Sequence, residues 1–559
     1  MLYVYTTLFF VLSSFLLSAQ SGCIATIDEI SRIGNGYRQS STATLANLIF
    51  DPNVNDPVFD GDGSTGLFDL GFARGVWVGG LDPSGNVKVA ASGYNSTGVD
   101  FVPGPIWNES QVDKEELCEF FRKVWTISEA ELLQLQSLFA SGNLSIGDIS
   151  SDILEWPAKG NPHITNINID SDLAPFFDNN SDGIYDPLQG DYPVPLDDSP
   201  DFIPEQFRFY VFNDQTVHGE SLGDPLDMEF HVVDYVIDAS GNSESATSVF
   251  TRLKSINKSL EELRDFRIGI WDDTDLGCFF DDFIGCDTTL NASYVYNTSG
   301  SDFDDCAPYQ SVPNDYGVVR SLVFLNRDLE KYIHFFNCSI VDFDPEQCPP
   351  KFGAQYYFSL NGLWLDGSSI TTGGTGFNPN NSQEASHVFP DFPNNPDGWS
   401  METAGLPYLD TRSLSVFGEE AVVLPGQIGV VDYVDHLLIS QEKTGLDIFE
   451  LYETSINGIK QEFETEILGT VSSTQDDLKR SPLFSLYPNP ASEVIDIKLS
   501  ALITGKVQVH TIEGTLIATH LLSSSSTINL PVADYSPGIY VVTLQASDGT
   551  VSTARFVKL

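Results

Sequence analysis

Basic residues are scarce in this chain. Lys and Arg together number 27 in 559 residues, against 79 Asp and Glu, and the formal net charge at pH 7 is −52. A field of that sign repels phosphate backbones and anionic lipid head groups, so nucleic acid is excluded as an expected partner. The same field favours bound cations, and salt or divalent ions should help the chain fold. Methionine is also rare, at 3 residues, whereas Phe 38, Tyr 21, Gly 45 and Pro 30 describe many short strands between punctuated turns rather than a helical bundle. The expected class is mostly β, with a sandwich-like body and a small helical insert.

Long apolar runs are confined to the first residues, where "MLYVYTTLFFVLSSFLLSAQSG" has the apolar stretch and small-residue end of a secretory leader. Residues 1–22 are expected to be removed on Sec-type export to the periplasm, leaving a mature chain with no membrane-spanning segment. The leader departs from the usual pattern in having no Lys or Arg at its start. Cysteine is sparse too: Cys23, Cys118, Cys278, Cys286, Cys306, Cys338 and Cys348, with no CxxC pair. In an exported chain these residues are free to pair, and the Cys338 to Cys348 spacing suits a loop-closing disulfide better than a zinc site. Cys278 and Cys286 are candidates to pin their loop. Cys118 reads either as one half of a disulfide or as a buried thiol on an apolar helical face.

Along the body, "QVDKEELCEFFRKVW" and "SEAELLQLQSLFASG" read as helices within about 111–142, with Ser128 and Glu131 as a capping box and Gly142 as a stop. Alternating strands dominate elsewhere, as in "QFRFYVFND", "MEFHVVDYVID" and "SVFTRLKSI". A second helix closes the body near "GLDIFELYETSINGIKQEFETEI". The expected division is a body at 23–466, a polar linker at 467–480 and a separate module at 481–559. That last module holds five acids and four bases, so nearly all the negative charge lies upstream of it.

The motif richest in chemistry is "DNNSDGIYD", which sets Asp178, Asn180, Asp182 and Asp186 at positions 1, 3, 5 and 9 of a calcium loop. Gly183 permits the tight turn at position 6, and Ile184 offers its carbonyl at position 7. The spacing resembles dockerin and thrombospondin-type loops, with Gln189 where a bidentate acid usually closes the set and Asp191 two residues beyond it. A structural calcium ion is the expected cofactor; the competing reading is an ion-free Asx-rich turn. "WDDTDLGCFFDDFIGCD" gathers Asp272, Asp273, Asp275, Asp281, Asp282 and Asp287 and reads either as a second calcium site or as a solvated loop.

The sequence assigns no catalytic residue. "GESLG" fits the G-x-S-x-G pattern around Ser221, with His218 as a base, but a strand follows it where an elbow needs a helix. HExxH is absent, which disfavours zinc hydrolysis. Asp432, Asp435 and His436 in "VDYVDH" read either as half of a site or as part of a strand. Trp156 and Trp399, in turn-rich segments, are the candidates for exposed sugar-stacking rings.

The tail resembles a known family. "YPNPASEVIDIKL", "GKVQVHTIEGTLI" and "LPVADYSPGIYVVTLQASDGTVSTARFVKL" are similar to the type A C-terminal sorting domain of type IX secretion cargo in Bacteroidota. Pro488, Asn489 and Pro490 match the opening turn, Pro537, Gly538 and Tyr540 the Pro-Gly-x-Tyr element, and Gly549 and Lys558 the last hairpin and basic end. The resemblance implies an Ig-like sandwich recognised by the type IX secretion machinery and a protein that is secreted or held at the outer-membrane surface. The body, through "GVWVGGLDPSGNVKVAASGY", "LAPFFDNNSDGIYDPLQGDYP" and "GIWDDTDLGCFFDDFIGCD", is similar to a group of large secreted proteins of that phylum with no established activity. The expected role is a calcium-stabilised binding or adhesion protein with a glycan or protein ligand; the alternative is a secreted hydrolase acting on polysaccharide or peptide.

Overall fold

The computed structural model describes residues 68–467, apart from short segments of which the longest are 107–113, 238–246, 277–281, 298–316 and 339–343. It also describes the backbone of strands at 30–33, 37–40 and 44–50, and most of 484–558. The leader and linker expected from sequence lie outside the described residues. The chain divides into two compact units, Met1–Thr470 and Val471–Leu559.

The first unit is built on two antiparallel sheets. The nine-stranded sheet runs Asp282–Asp287, Ala292–Asn297, Gly317–Phe324, Ile428–Ser440, Ser248–Asn257, Met228–Val236, Gln206–Asn213 and Val102–Pro103, with Trp125–Ser128 also paired to Gln206–Asn213. The six-stranded sheet runs Lys331–Phe336, Thr411–Val423, Leu263–Asp273, Phe68–Leu81 and Thr44–Phe50, with Val87–Ala91 on Phe68–Leu81. Ion pairs from Arg74 in the six-stranded sheet to Asp435 in the nine-stranded one show that the two sheets face each other as a sandwich.

Two of the crossings between the sheets form adjoining corners. Thr411–Val423 turns through Leu424–Gln427 into Ile428–Ser440, and Ser248–Asn257 turns through 258–262 into Leu263–Asp273. Buried Asn257 ties the two corners together. Its amide nitrogen donates to the carbonyls of Glu261 and Val423, both at 3.1 Å, and its backbone carbonyl accepts from Gly426 at 2.7 Å.

Both outer faces are covered, which explains why the strands are buried on both sides. Helix Gly353–Leu360 lies on the six-stranded sheet, where Tyr356 meets Trp77 edge-on at 4.7 Å and Trp77 stacks on Trp271 at 6.2 Å. Helix Phe449–Glu462 covers the nine-stranded sheet through Tyr452 and Ser455, which bond Ser321 and His436. The helical insert has its two helices, Lys114–Phe121 and Glu129–Ala140, but the first stops at Phe121, and Trp125, expected within it, opens the strand Trp125–Ser128 between them. Ser128 and Glu131 make both halves of the capping box, and Gly142 follows at φ 69°. Trp156, just beyond, packs on Phe207 and Phe209.

The second unit has a five-stranded sheet in which Val494–Thr511 is the long central strand. Its first half pairs with Phe484–Tyr487 and its second with Gly538–Ala546, while Leu516–Pro531 runs along its other side with register shifts near Lys498 and Ile503. Those irregularities bend the strand, so the sheet closes on a core of Ile495, Ile497, Val507, Val509, Leu530, Val542 and Leu544. The fold class is therefore mostly β, an antiparallel sandwich body and a small Ig-like sandwich.

Asn257→Ala should remove the buried amide donor of the Val423 carbonyl, while Ser259 still donates to that of Glu261, and lower stability by about 1–3 kcal/mol. Denaturant unfolding of both proteins measures this, and an unchanged midpoint would mean the corners hold without the amide.

Candidate functional site

The acidic turn is a loop closed by the two-residue strands Phe176–Phe177 and Tyr192–Pro193, with Phe177 stacked on Tyr192 at 4.7 Å. Ser181 at φ 60° and Gly183 at φ 74° curl the backbone inward, and the short polar side chains follow it. Asp178 accepts from the Gly183 N–H at 2.7 Å, Asn180 Oδ1 from the Asp182 N–H at 3.0 Å, and Asp182 Oδ1 from the Ile184 N–H at 2.8 Å. Oxygens of Asp178, Asn180 and Asp182 thus gather along one exposed turn. Asp186 is used differently. It caps the 3-10 turn Pro187–Gln189 through the Leu188 N–H and meets His163 Nε2 at 3.0 Å.

Asp191, beyond the expected ligand set, is the buried organiser of this loop. Its carboxylate takes the N–H groups of Asn179 at 2.9 Å and Asp186 at 2.8 Å, joining the two limbs, and burial pushes its pKa upward. The signal for it was present as the only acid between Asp186 and the next strand. Among the described residues no three His, Cys, Asp or Glu side chains converge as a metal-holding group. Any ion here would draw on Asn180 and the Ile184 carbonyl as well as the carboxylates.

The Asp-rich stretch from Trp271 does not form one cluster. Asp272 and Asp273 lie on opposite faces of the strand Leu263–Asp273, Asp282 accepts from the Leu276 N–H, and Asp287 caps the turn at Thr289 and Leu290. Asp275 and Asp281 lie outside the described residues. Cys286 is a buried free thiol whose Sγ faces the Val388 carbonyl, so it does not pin the loop as anticipated. Cys338 and Cys348 do form the loop-closing disulfide, and Cys118 is disulfide-bonded rather than free.

The GESLG segment is an internal clasp. Ser221 is fully buried; its N–H donates to Asp100 and its hydroxyl to the Val89 carbonyl at 3.2 Å. His218 does not face Ser221. Its ring nitrogens stand 2.8 and 2.9 Å from the carbonyls of Val89 and Asp214, between the buried carboxylates of Asp100 and Asp214. No helix follows, so this is no nucleophile elbow.

Asp435 and Asp432 are likewise committed inside the fold. Between the sheets, Arg74 donates to Asp435 at 2.6 Å and to Asp272 at 2.8 Å, while Arg320 donates to both oxygens of Asp435 at 3.0 Å and stands 3.2 Å from Asp272. All four side chains are buried, and Arg74, Asp272 and Arg320 line a void together with Ser293, Tyr332 and Ser413. Arg208 and Thr251 hold Asp234 further along the same interior face. On the opposite face Arg252 grips Asp432, and His436 sits between the hydroxyls of Ser248 and Ser455. The two Trp candidates for a sugar face are buried as well, because each indole N–H reaches a backbone carbonyl: Trp156 that of Pro175 and Trp399 that of Gly374, both at 3.0 Å.

In the terminal unit, Tyr540 explains the Pro-Gly-x-Tyr element. Its ring is buried against Tyr535 and its hydroxyl donates to the Ser536 carbonyl four residues upstream at 2.9 Å, pinning the corner that feeds the strand Gly538–Ala546. Lys558 at the basic end is buried and bridges to Ala491. Pro488, Asn489, Pro490, Pro537 and Gly549 lie outside the described residues.

Comparison with known proteins places the tail. Residues 485–558 match the family described as "Secretion system C-terminal sorting domain". No curated protein matches the chain. Among solved structures, an immunoglobulin-like β-sandwich protein of the DUF3244 family from Bacteroides vulgatus aligns with 14% of this chain and 86% of its own, at 11% identity and TM-score 0.13. CopC from Methylosinus trichosporium aligns with 14% of this chain and 91% of its own, at 12% identity and TM-score 0.12. A polysaccharide lyase aligns with 59% of this chain and 34% of its own, at 9% identity and TM-score 0.17. Likenesses this remote leave the chemistry of the body to its own residues.

Two sets of buried groups give stability opposite dependences on pH. Burial pushes Asp272 up to about 7 despite Arg74 beside it, and Asp273 and Asp214 up to about 6. The folded chain therefore binds protons that the unfolded chain has released, and this contribution falls as pH rises from about 4 to 7. Burial drives His334 down to about 3 and His436 to about 4. Their contribution is present above about 6.5 and is lost as pH falls. Asp272→Asn isolates the first set: its melting temperature relative to the parent should rise from pH 5 to 8, by roughly 1 kcal/mol per pH unit in stability at most. A gap that stays constant with pH would show that Asp272 keeps its charge throughout.

Proposed function

We propose that this chain, whose residues 485–558 are a type IX secretion C-terminal sorting domain, delivers a calcium-stabilised binding or adhesion body to the cell surface or medium. The export half follows from the sorting domain. Among the described residues no helix is long and apolar enough to cross a membrane. Removal of 485–558 should leave the body folded in the periplasm, since the two units have separate cores. Fractionation of the native host decides this, and normal surface display of the shortened chain would refute it.

The binding half rests on one observation. Ser221, His218, Asp432, Asp435 and His436, the residues with the most catalytic appearance in sequence, spend their hydrogen bonds holding strands and sheets together. A body whose reactive groups are structural is suited to present a surface to a glycan or protein ligand. A glycan array and a panel of polysaccharide and peptide substrates, applied to the full chain in calcium, separate the two classes. Turnover of any substrate would overturn the assignment.

Calcium would sit in the turn of Asp178, Asn180, Asp182 and Asp186, with the carbonyl of Ile184. Each side-chain oxygen that accepts one N–H keeps a second lone pair, and a hard divalent ion would relieve the repulsion among carboxylates so closely spaced. At calcium about a hundred times its dissociation constant, the linkage is roughly 2.7 kcal/mol. Calorimetric titration of the chelator-treated chain should show binding that Asp182→Ala abolishes while the fold persists. No heat and an unchanged melting curve would identify an Asx-rich turn.

A further inference from the structure

Two sheet edges of the body are covered. On Asp282–Asp287 the Ile284 N–H donates to Met401 Sδ and the Cys286 N–H to the Phe389 carbonyl. On Lys331–Phe336 the Tyr332 N–H and carbonyl bond Ser386 and Val388. The sorting module differs. Its strand Leu516–Pro531 pairs with Val494–Thr511 on one side, and among the described residues nothing pairs with the other. Ile517 and Leu521, 42% and 84% exposed, point outward on alternate positions, whereas Leu522 is buried. Natural edges of this length are guarded by charge or by proline along the strand. Here the whole run "LIATHLLSSSSTINL" contains no Asp, Glu, Lys, Arg or Pro. The cross-strand neighbour of Leu521 is Lys506, and His510 lies opposite Leu516. From Ile497 to Ile512 there is no acid, so in a chain of charge −52 this edge is a neutral-to-basic strip.

We propose that the free edge at Leu516–Leu522 is the docking surface of the sorting module, accepting an extended strand of a partner protein that adds to the sheet. The unpaired N–H and C=O row supplies the backbone bonds and fixes the partner as a strand. Ile517 and Leu521 select apolar residues at alternate partner positions, and Lys506 favours an acidic residue beside them. This deepens the export reading and rests on it, because the partner belongs to the machinery that recognises the module.

The test uses the full chain in its native host. Ile517→Lys with Leu521→Lys should remove most of the surface-displayed or released protein and strand it in the periplasm, since two lysines block strand addition at positions too exposed to support the core. Leu260→Lys, at a body position 97% exposed, serves as the control and should be exported normally. The purified double variant should keep the parental circular dichroism and melting temperature. If it does not, the milder Ile517→Ser with Leu521→Ser is used in its place. Normal export of a folded edge variant, while removal of 485–558 stops export, overturns the docking edge and leaves the export reading intact. Normal export after removal of 485–558 overturns the export reading itself. A parental dimer in analytical ultracentrifugation that the edge variant abolishes, with export unaffected, would assign the edge to a second copy of this chain and refute the partner strand.

Discussion

The sandwich body is organised around the ion-pair seam of Arg74, Asp272, Asp435 and Arg320. Four charges taken from water between two sheets are favourable only if each finds its partners at short range, and here each guanidinium reaches both carboxylates. Such a seam specifies more than it stabilises. An apolar interface tolerates sliding by one residue, but a slip here would strand a buried charge and turn its neighbours to the wrong face. Asp435 bonding both Arg74 of one sheet and Arg320 of its own fixes the stacking and the register together.

The same constraint explains what the sequence disclosed and what it concealed. Strand positions, the capping box at Ser128, the closing helix and the terminal sandwich follow from periodicity and local turn chemistry, which are properties of neighbouring residues. The polar members of the alternating strands read as solvent-facing because alternation in an antiparallel sheet usually has that meaning. In fact Met228–Val236 is buried throughout, with Glu229 against His231 and Asp234 against Arg208. Asp234 and Arg208 are separated by 26 residues and Asp435 and Arg74 by 361, pairings that no local pattern encodes. Trp156 and Trp399 were misread for a related reason: turn-rich flanks suggested exposure, but each indole N–H finds a carbonyl that only the folded loops supply.

The acidic turn shows the opposite balance. Its spacing was legible because every ligand candidate lies within nine residues, and the inward curl at Ser181 and Gly183 is a consequence of those same residues. Asp191 was harder to value, since its role is to receive two N–H groups across the loop rather than to extend the motif. The turn is also tied to the short helix Ser151–Leu154 beyond the insert, because Tyr185 within it donates to the Ile153 carbonyl at 2.6 Å. A change in the turn would therefore reach that helix through a buried hydroxyl.

The charge distribution links the two units to separate tasks. The body carries nearly all of the −52 and therefore resists association with anionic surfaces. The small unit is almost neutral and is built differently, with its own core and with Tyr540 locking the corner before the penultimate strand. A recognition element built as a separate unit cannot depend on contacts with the rest of its chain. It needs a core that closes by itself and a recognition surface carried wholly within it. Neutrality follows as well, for a strand edge is usable by a partner only if the surrounding charges admit one. In this chain that condition is met along Leu516–Leu522, beside Lys506 and His510.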